Sequence, residues 1–183
     1  IIGNKATAGN NYGISVVASS NILINNSVIS TIGGHGSLIG SGANNNILMN
    51  NTFRSDAGKV AVYIQLSSNN NSLINNTIIG DTGIEINEST NISITNTSFQ
   101  NTNWSIKTDL GSNVSLIDNE RMTNYSFINA PSLTITKTGI ASVNFFNIIN
   151  AQATNLSMDV NLTTNKVHVN SSRSIGLNVT ANI

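Results

Sequence analysis

Side chains that could do acid–base or metal chemistry are few in this chain of 183 residues, because Asp and Glu together number eight. Asp56 and Asp81 each begin an Asp-x-Gly turn, and the repeat described below places them one coil apart. Two carboxylates at so short a distance can share a proton or hold Ca²⁺. Glu85 and Asp81 could instead flank a glycosidic bond. Turn capping is the favoured interpretation of Asp56 and Asp81, and solvated surface that of Glu85. The chain is predicted to use no cofactor and no metal, with Asp56 and Asp81 as the one weak candidate pair for a metal ion.

The histidines and aromatic residues are equally scattered. His35 and His168 have no acid at ligand spacing, which argues against a zinc or copper site. Tyr63 and Trp104 are predicted to face outward two coils apart, where they could form a sugar platform or stand as isolated surface aromatics.

Composition excludes several classes of function. Charged residues make up 9% of the chain and the net charge is zero, which argues against nucleic acid and polybasic membrane docking as partners. The absence of cysteine excludes a disulfide scaffold and a thiolate nucleophile. No apolar stretch approaches the roughly 18 residues of a transmembrane segment.

An internal repeat predicts the fold. Five segments align without gaps and start 25, 25, 20 and 22 residues apart, at Asn21, Asn46, Asn71, Asn91 and Asn113. Their apolar residues are β-branched and alternate with period 2, as in short strands. Coils of 20–25 residues bury such strands only by stacking. We expect an all-β solenoid of about eight coils in a single domain, 1-183, with regular coils over 13-120 and less regular coils over 121-183.

The alignment sorts inward-facing residues into lanes that run along the stack. One is a core lane of isoleucines, Ile14, Ile39, Ile64, Ile84 and Ile106. A second is predicted to contain Ile24, Met49, Ile74, Ile94 and Leu116. A third is an amide ladder in which each side chain bonds to the next coil, formed by Asn26, Asn51, Asn76 and Asn96.

The repeat resembles the right-handed parallel β-helix of NosD-like periplasmic proteins, polysaccharide lyases and archaeal surface-layer or sheath proteins. The motifs that carry the resemblance are Gly-Ile-x-Val/Ile, from Gly13 and Gly83, and Asn-x-x-Ile/Met-Asn-Asn-Ser/Thr, from Asn21, Asn46 and Asn71. The resemblance covers residues 13–120 well. It implies the right-handed fold, but the scaffold carries many unrelated activities.

The chain contains 14 Asn-x-Ser/Thr sequons, which favours export and N-glycosylation. Asn25, Asn50 and Asn75 would share one outward lane with roots about 4.8 Å apart, so we expect crowding and incomplete occupancy there. The glycosylation candidates outside that lane are Asn103, Asn124, Asn155, Asn170, Asn91 and Asn113.

Two functions from different classes remain open. The favoured one is a non-catalytic extracellular structural protein, a subunit of a cell-surface layer, sheath or filament. The alternative is a carbohydrate-binding or polysaccharide-processing module, which if catalytic would be a lyase or glycoside hydrolase. The segment from Ile175 to Ile183 alternates like a strand and carries no charge, which predicts self-association through terminal strands. The start at Ile1 favours a piece of a longer precursor.

Overall fold

The computed structural model describes residues 1–100, 103–109 and 113–119, together with the backbone of six later strands between residues 124 and 182. Every regular element in that part of the chain is a β-strand, which confirms the all-β class. Within the same residues, no helix has the length and apolar character needed to cross a membrane.

The strands are short and follow one another closely. The first seven are β1 (Lys5–Ala8), β2 (Ile14–Val16), β3 (Ile22–Ile24), β4 (Ser27–Ser30), β5 (Ser37–Ile39), β6 (Ile47–Met49) and β7 (Thr52–Arg54). The next eight are β8 (Val60–Ile64), β9 (Ser72–Ile74), β10 (Thr77–Ile79), β11 (Thr82–Asn87), β12 (Ile92–Thr95), β13 (Ser98–Gln100), β14 (Trp104–Asp109) and β15 (Asn113–Ile117). The later strands are β16 (Asn124–Phe127), β17 (Ser132–Thr136), β18 (Phe145–Gln152), β19 (Ser157–Asn161), β20 (Lys166–Asn170) and β21 (Gly176–Asn182).

Three sheets form the walls of a parallel β-solenoid. Sheet I has the order β1-β4-β7-β10-β13, sheet II the order β2-β5-β8-β11-β14-β16-β18-β21, and sheet III the order β3-β6-β9-β12-β15-β17-β20-β19. Each coil passes from sheet III through a sharp corner to sheet I, then through a loop to sheet II. Because neighbouring strands in a sheet come from successive coils, parallel pairing links one coil to the next.

The register corrects the gap-free alignment. Leu23 pairs with Leu48 and Leu48 with Leu73, which are offsets of 25 residues. Leu73 pairs with Ile94, an offset of 21 rather than the predicted 20. The shortening lies mainly in the loop between sheets I and II, which spans residues 55–59 in one coil and 80–81 in the next. The alignment is therefore wrong by one residue from Asn91 onward.

The stack ends differently from the predicted eight coils. Parallel pairing continues through β16, β17 and β18. Strands β20 and β21 then pair antiparallel with β17 and β18, and β19 pairs antiparallel with β20. Sheet I, in the described part of the chain, has five strands. The solenoid thus has about five coils, because the last strands fold back as antiparallel neighbours instead of starting new coils.

Columns of apolar side chains from all three sheets fill the interior. Sheet III contributes Leu23, Leu48, Leu73, Ile94 and Leu116, and sheet I contributes Val28, Phe53, Ile78 and Phe99, all at most 1% exposed. Full burial of each such side chain is worth about 1.5–3 kcal/mol. Stacking supplies this burial, because one coil alone has no second layer to cover its inner face.

The second predicted inward lane is only partly correct. Ile94 and Leu116 are buried, whereas Ile24, Met49 and Ile74 are half-buried on the outer face. A left-handed residue follows each of those three, for example Asn25 with φ of 56°. Such a corner interrupts the alternation of side chains, so positions on its two sides no longer share a parity. The leucine before each of the three residues fills the core instead.

Candidate functional site

A buried amide ladder joins the first three coils at the corner between sheets III and I. Asn26 donates from its backbone N and its Nδ2 to Asn51 Oδ1, at 2.8 and 2.9 Å. Asn51 donates in the same way to Asn76 Oδ1, at 2.9 and 3.2 Å. The Nδ2 groups of Asn51 and Asn76 also donate to the carbonyls of Leu23 and Leu48. These three predicted members therefore satisfy buried polar groups along the stack.

Asn96 is not part of this ladder, contrary to the prediction. The register pairs Thr77 with Ser98, which places Thr97 beside Asn76 and moves Asn96 to the exposed corner. The backbone N–H of Thr97 donates to Asn119 Oδ1 at 2.9 Å, so an amide returns in the fifth coil. The cause of the error is the 21-residue offset.

A second amide ladder lies at the corner between sheets II and III. Asn21 donates from N and Nδ2 to Asn46 Oδ1, and Asn46 donates likewise to Asn71 Oδ1, at 2.8 to 3.1 Å. The buried Ile92 takes this position in the fourth coil. Sequence reasoning used these three asparagines as the starts of repeats and missed their bonding role. Their strict recurrence was the signal that could have identified it.

The predicted core lane is divided between two adjacent lanes. Ile39 and Ile64 pair with each other, and Ile64 pairs with Ile86. Ile84 and Ile106 pair with each other in the neighbouring lane. Ile14 belongs to that second lane, through Ser37 and Val62, and is half-buried against the core. All five isoleucines face the core, but the shorter coils shift Ile84 and Ile106 sideways by two residues.

An exposed column of asparagines follows sheet III. Its members, here called the corner column, are Asn25, Asn50, Asn75 and Asn96. Their φ angles lie between 47° and 56°, a left-handed conformation that asparagine tolerates better than most residues. Each backbone N–H donates to a carbonyl of the next coil at 2.9 to 3.1 Å. A left-handed Asn, an inward residue and an outward Ser or Thr together spell a sequon, so the corner geometry accounts for four of the sequons.

The other glycosylation candidates have varied surroundings. Asn91 is exposed at the second corner, where its Nδ2 donates to Asn70 Oδ1 at 3.1 Å. Asn113 pairs with Ser132 at the start of β15. Asn103 is exposed, and its Nδ2 donates to Asp81 Oδ1. Of the remaining three, Asn124 and Asn170 belong to strands whose side chains lie outside the described part, and Asn155 lies outside the described residues altogether.

The structure does not pair Asp56 with Asp81. Asp56 Oδ2 accepts a bond of 2.8 Å from the backbone N–H of Gly33 in the preceding coil. Asp81 instead accepts from Asn103 in the following coil and lies beside Lys59 in register. The shortened loop explains this, because it removes the residue that would have stood opposite Asp56. Among the described residues, no three His, Asp or Glu side chains cluster in a way that could hold a metal ion.

Aromatic rings stack on the outer side of sheet II. The Tyr12 and His35 ring centroids are 5.4 Å apart, and those of His35 and Tyr63 are 6.0 Å apart, with interplanar angles of 26° and 23°. Trp104 forms a separate cluster with Lys107, whose Nζ lies 5.4 Å from the indole centroid. Sequence reasoning missed His35 because the members of the stack are spaced unevenly, 23 and 28 residues apart, and no periodic signal links them.

The surroundings of the stack shift the pKa of His35 and of Tyr63. Burial, and then the nearby Lys59 charge, lower the pKa of His35, whose Nδ1 accepts a bond from the Val60 backbone N–H. Burial and Glu85 raise the pKa of Tyr63. Both shifts favour the uncharged form of the side chain, the imidazole of His35 and the phenol of Tyr63.

Comparison with known proteins adds no family. No protein-family model, curated protein or solved structure matches the chain. The likeness to parallel β-helix proteins thus stands at the level of the fold.

Proposed function

We propose that this chain is a non-catalytic extracellular structural module, a rod-like subunit of a surface layer, sheath or filament of the NosD-like or surface-layer type that carries N-linked glycans. One observation carries the proposal. The six ladder asparagines of the first three coils direct their side chains at neighbouring coils of the rod, in two amide ladders, instead of at a shared outer point.

The carboxylates support the same proposal. Asp56 and Asp81 bind groups in different coils. Hydrolysis of a glycosidic bond needs two carboxyl groups held together at a defined separation. The separation of Asp56 from Asp81 fits a stabilising role for these two carboxylates better than a catalytic one.

The proposed partners are further copies of the same chain, joined through terminal strands. Eight basic and eight acidic residues leave no net charge to keep copies apart. Sedimentation velocity over a range of concentrations tests this part. We expect the mean mass to rise with concentration, and a stable monomer throughout would contradict it.

Location and activity test the main proposal. Surface labelling of intact native cells should find the protein outside, with a mass above the 19.3 kDa of the bare chain. Assays on a panel of polysaccharides should find no cleavage. Cleavage that disappears in Glu85→Gln but persists in Glu88→Gln would overturn the non-catalytic role, and retention inside the cell would overturn the location.

Carbohydrate binding is a second candidate because of the stack formed by Tyr12, His35 and Tyr63. Aromatic rings offer apolar faces and polar edges to a sugar. Calorimetric titration with soluble oligosaccharides should then show binding that Tyr63→Ala abolishes and that Ile32→Ala, an exposed change outside the stack, preserves. Equal binding by both variants would eliminate this candidate.

A further inference from the structure

The outer face of sheet III exposes an apolar strip in the first three coils. The strip consists of Ile22, Ile24, Ile47, Met49 and Ile74. Ile22 is 50% and Ile47 is 37% exposed, and the other three are half-buried. Strands β3, β6 and β9 contain no charged residue. A contiguous apolar face of this kind usually has something that covers it.

The corner column borders this strip directly. Asn25, Asn50 and Asn75 are the residues that follow Ile24, Met49 and Ile74. The hydrogen bonds that hold the column run through its backbone N–H groups, and its side chains are exposed. In contrast, the Nδ2 groups of Asn91 and Asn103 are engaged with Asn70 and Asp81. The column therefore offers amide nitrogens that the fold itself does not use.

The second border of sheet III is its corner with sheet II. The fold does not require the sequons of this border. Ser72 and Ser93 complete the sequons of Asn70 and Asn91, and they occupy the lane that Ile47 occupies in the second coil. Isoleucine and serine are thus both accepted at this outward position. This lane is isoleucine in the first two coils, where only the corner column provides sequons, and serine in the third and fourth coils, where the second border provides them too.

We propose that the corner column carries N-linked glycans whose first sugar rings lie across the apolar strip. This inference rests on the proposed extracellular location. In the reaction, a host transferase joins C1 of a lipid-linked oligosaccharide to Asn Nδ2. The C1–O bond to the lipid phosphate breaks, the phosphate leaves with the lipid, and the amide nitrogen gives up one proton. Aliphatic side chains then pack against the C–H face of the sugar while its hydroxyls stay in water.

Stacking limits how many sites can be filled. Successive column members are one coil apart, about 4.8 Å, which is close to the width of one sugar ring. Adjacent members cannot both hold a glycan flat against the strip. We therefore expect alternate occupancy, with about two glycans on the four sites in each molecule.

The experiment expresses the full chain in a host that N-glycosylates secreted proteins. A quadruple variant, Ser27→Ala, Thr52→Ala, Thr77→Ala and Ser98→Ala, removes the four sequons and leaves every asparagine in place. A matched control, Ser27→Thr, Thr52→Ser, Thr77→Ser and Ser98→Thr, retains the sequons at the same positions. Intact mass and glycopeptide mapping count the glycans, and fluorescence of an apolar-surface dye measures exposure of the strip. Circular dichroism verifies that both variants fold.

The control should carry about two more glycans than the quadruple variant, never on adjacent members, and should bind several-fold less dye. Introducing Met49→Ser and Ile74→Ser into the quadruple variant should bring dye binding back toward that of the control. Modification at Asn103 or Asn113 with an empty column would overturn this inference and leave the proposed glycoprotein standing. Equal dye binding would overturn the covering of the strip, as would self-association of a glycosylated control through the strip. A chain with no glycan at any sequon would overturn both.

Discussion

The first three coils and the next two solve the same packing problem with different residues. Where coils are 25 residues apart, asparagine recurs in both ladders, as in Asn51 and Asn46. In the fourth coil, offset from the third by 21 residues, Thr97 and Ile92 take these positions. An amide returns at Asn119 in the fifth coil, and the core columns continue without a break. Every coil therefore requires burial of its apolar columns, whereas a buried amide is required only where neighbouring amides bond to it.

The largest expected effect comes from breaking the ladder where both neighbours depend on it. Asn51→Leu removes the acceptor of Asn26 and the donor to Leu23 and Asn76, and it leaves buried polar groups without partners. We expect a loss of about 3 kcal/mol in the free energy of unfolding, measured by urea denaturation. Met49→Leu in the preceding strand serves as the control and should change stability by well under 1 kcal/mol. Equal effects of the two changes would contradict a specific role for the amide.

A smaller effect is expected from the lane that contains Ala61 in the second coil and Gly83 in the third. A Cβ at Gly83 would lie 2.6 Å from the Ser105 carbonyl oxygen and 2.9 Å from the Phe99 ring. We expect Gly83→Ala to destabilise the protein by about 2 kcal/mol in the same denaturation assay, because the backbone oxygen cannot move aside. If the third coil had as much space at Gly83 as the second has at Ala61, Gly83→Ala would not change stability.

A modest gain is expected from the lane in which Ser37 stands between Ile14 and Val62. Ser37 is 1% exposed and its Oγ has no hydrogen-bond partner, whereas later coils place Ile84 and Ile106 in this lane. Ser37→Ala should raise stability by about 1 kcal/mol, measured by thermal unfolding, because it removes a desolvated hydroxyl. Ser68→Ala provides the contrast, since Ser68 Oγ donates to Gln65 at 2.6 Å and its loss should destabilise. A loss of stability in both variants would show that Ser37 is bonded in solution.

The smallest expected effect is a pH dependence from the aromatic stack of Tyr12, His35 and Tyr63. The pKa of His35 is lowered from 6.5 when the protein folds, so folding favours the neutral imidazole. This contribution is fully present above pH 6.5 and is lost as pH falls below it. The thermal unfolding temperature should therefore fall between pH 7.5 and 5.5, and His35→Gln should reduce this slope. Both proteins carry His168→Gln, which removes the other histidine from the comparison. An unchanged slope would contradict a neutral His35.

Much of the fold followed from the repeat, because alternation and recurrence report directly on stacked strands. What the sequence could not give was the effect of a corner on parity. Ile24 and Asn26 look equivalent in an alternating pattern, yet the left-handed Asn25 between them places one outside and the other inside. The prediction that Asn96 belongs to the ladder failed for a related reason. A loop shortened by a few residues does not change the motif Asn-x-Ser/Thr, so the motif does not show the change of register.

The candidate site was less accessible to sequence reasoning. Asp56 and Asp81 share an Asp-x-Gly motif, but loop length decided that they bind different coils. The ring stack depends on how Tyr63 reaches back toward His35, which a one-dimensional pattern does not encode. Side chains held by regular strands were thus predictable, and those held by loops of variable length were not.

The stacked register between the third and fourth coils can be tested with pairs of introduced cysteines. The chain has no cysteine, so pairs can be introduced cleanly. Thr77 and Ser98 lie in register on the same outer face, whereas Thr97 is buried on the inner side. Thr77→Cys with Ser98→Cys should form a disulfide rapidly under mild oxidation, since parallel neighbours lie within bonding range. Thr77→Cys with Thr97→Cys should remain reduced. A disulfide in this pair and none between positions 77 and 98 would contradict the stacked register.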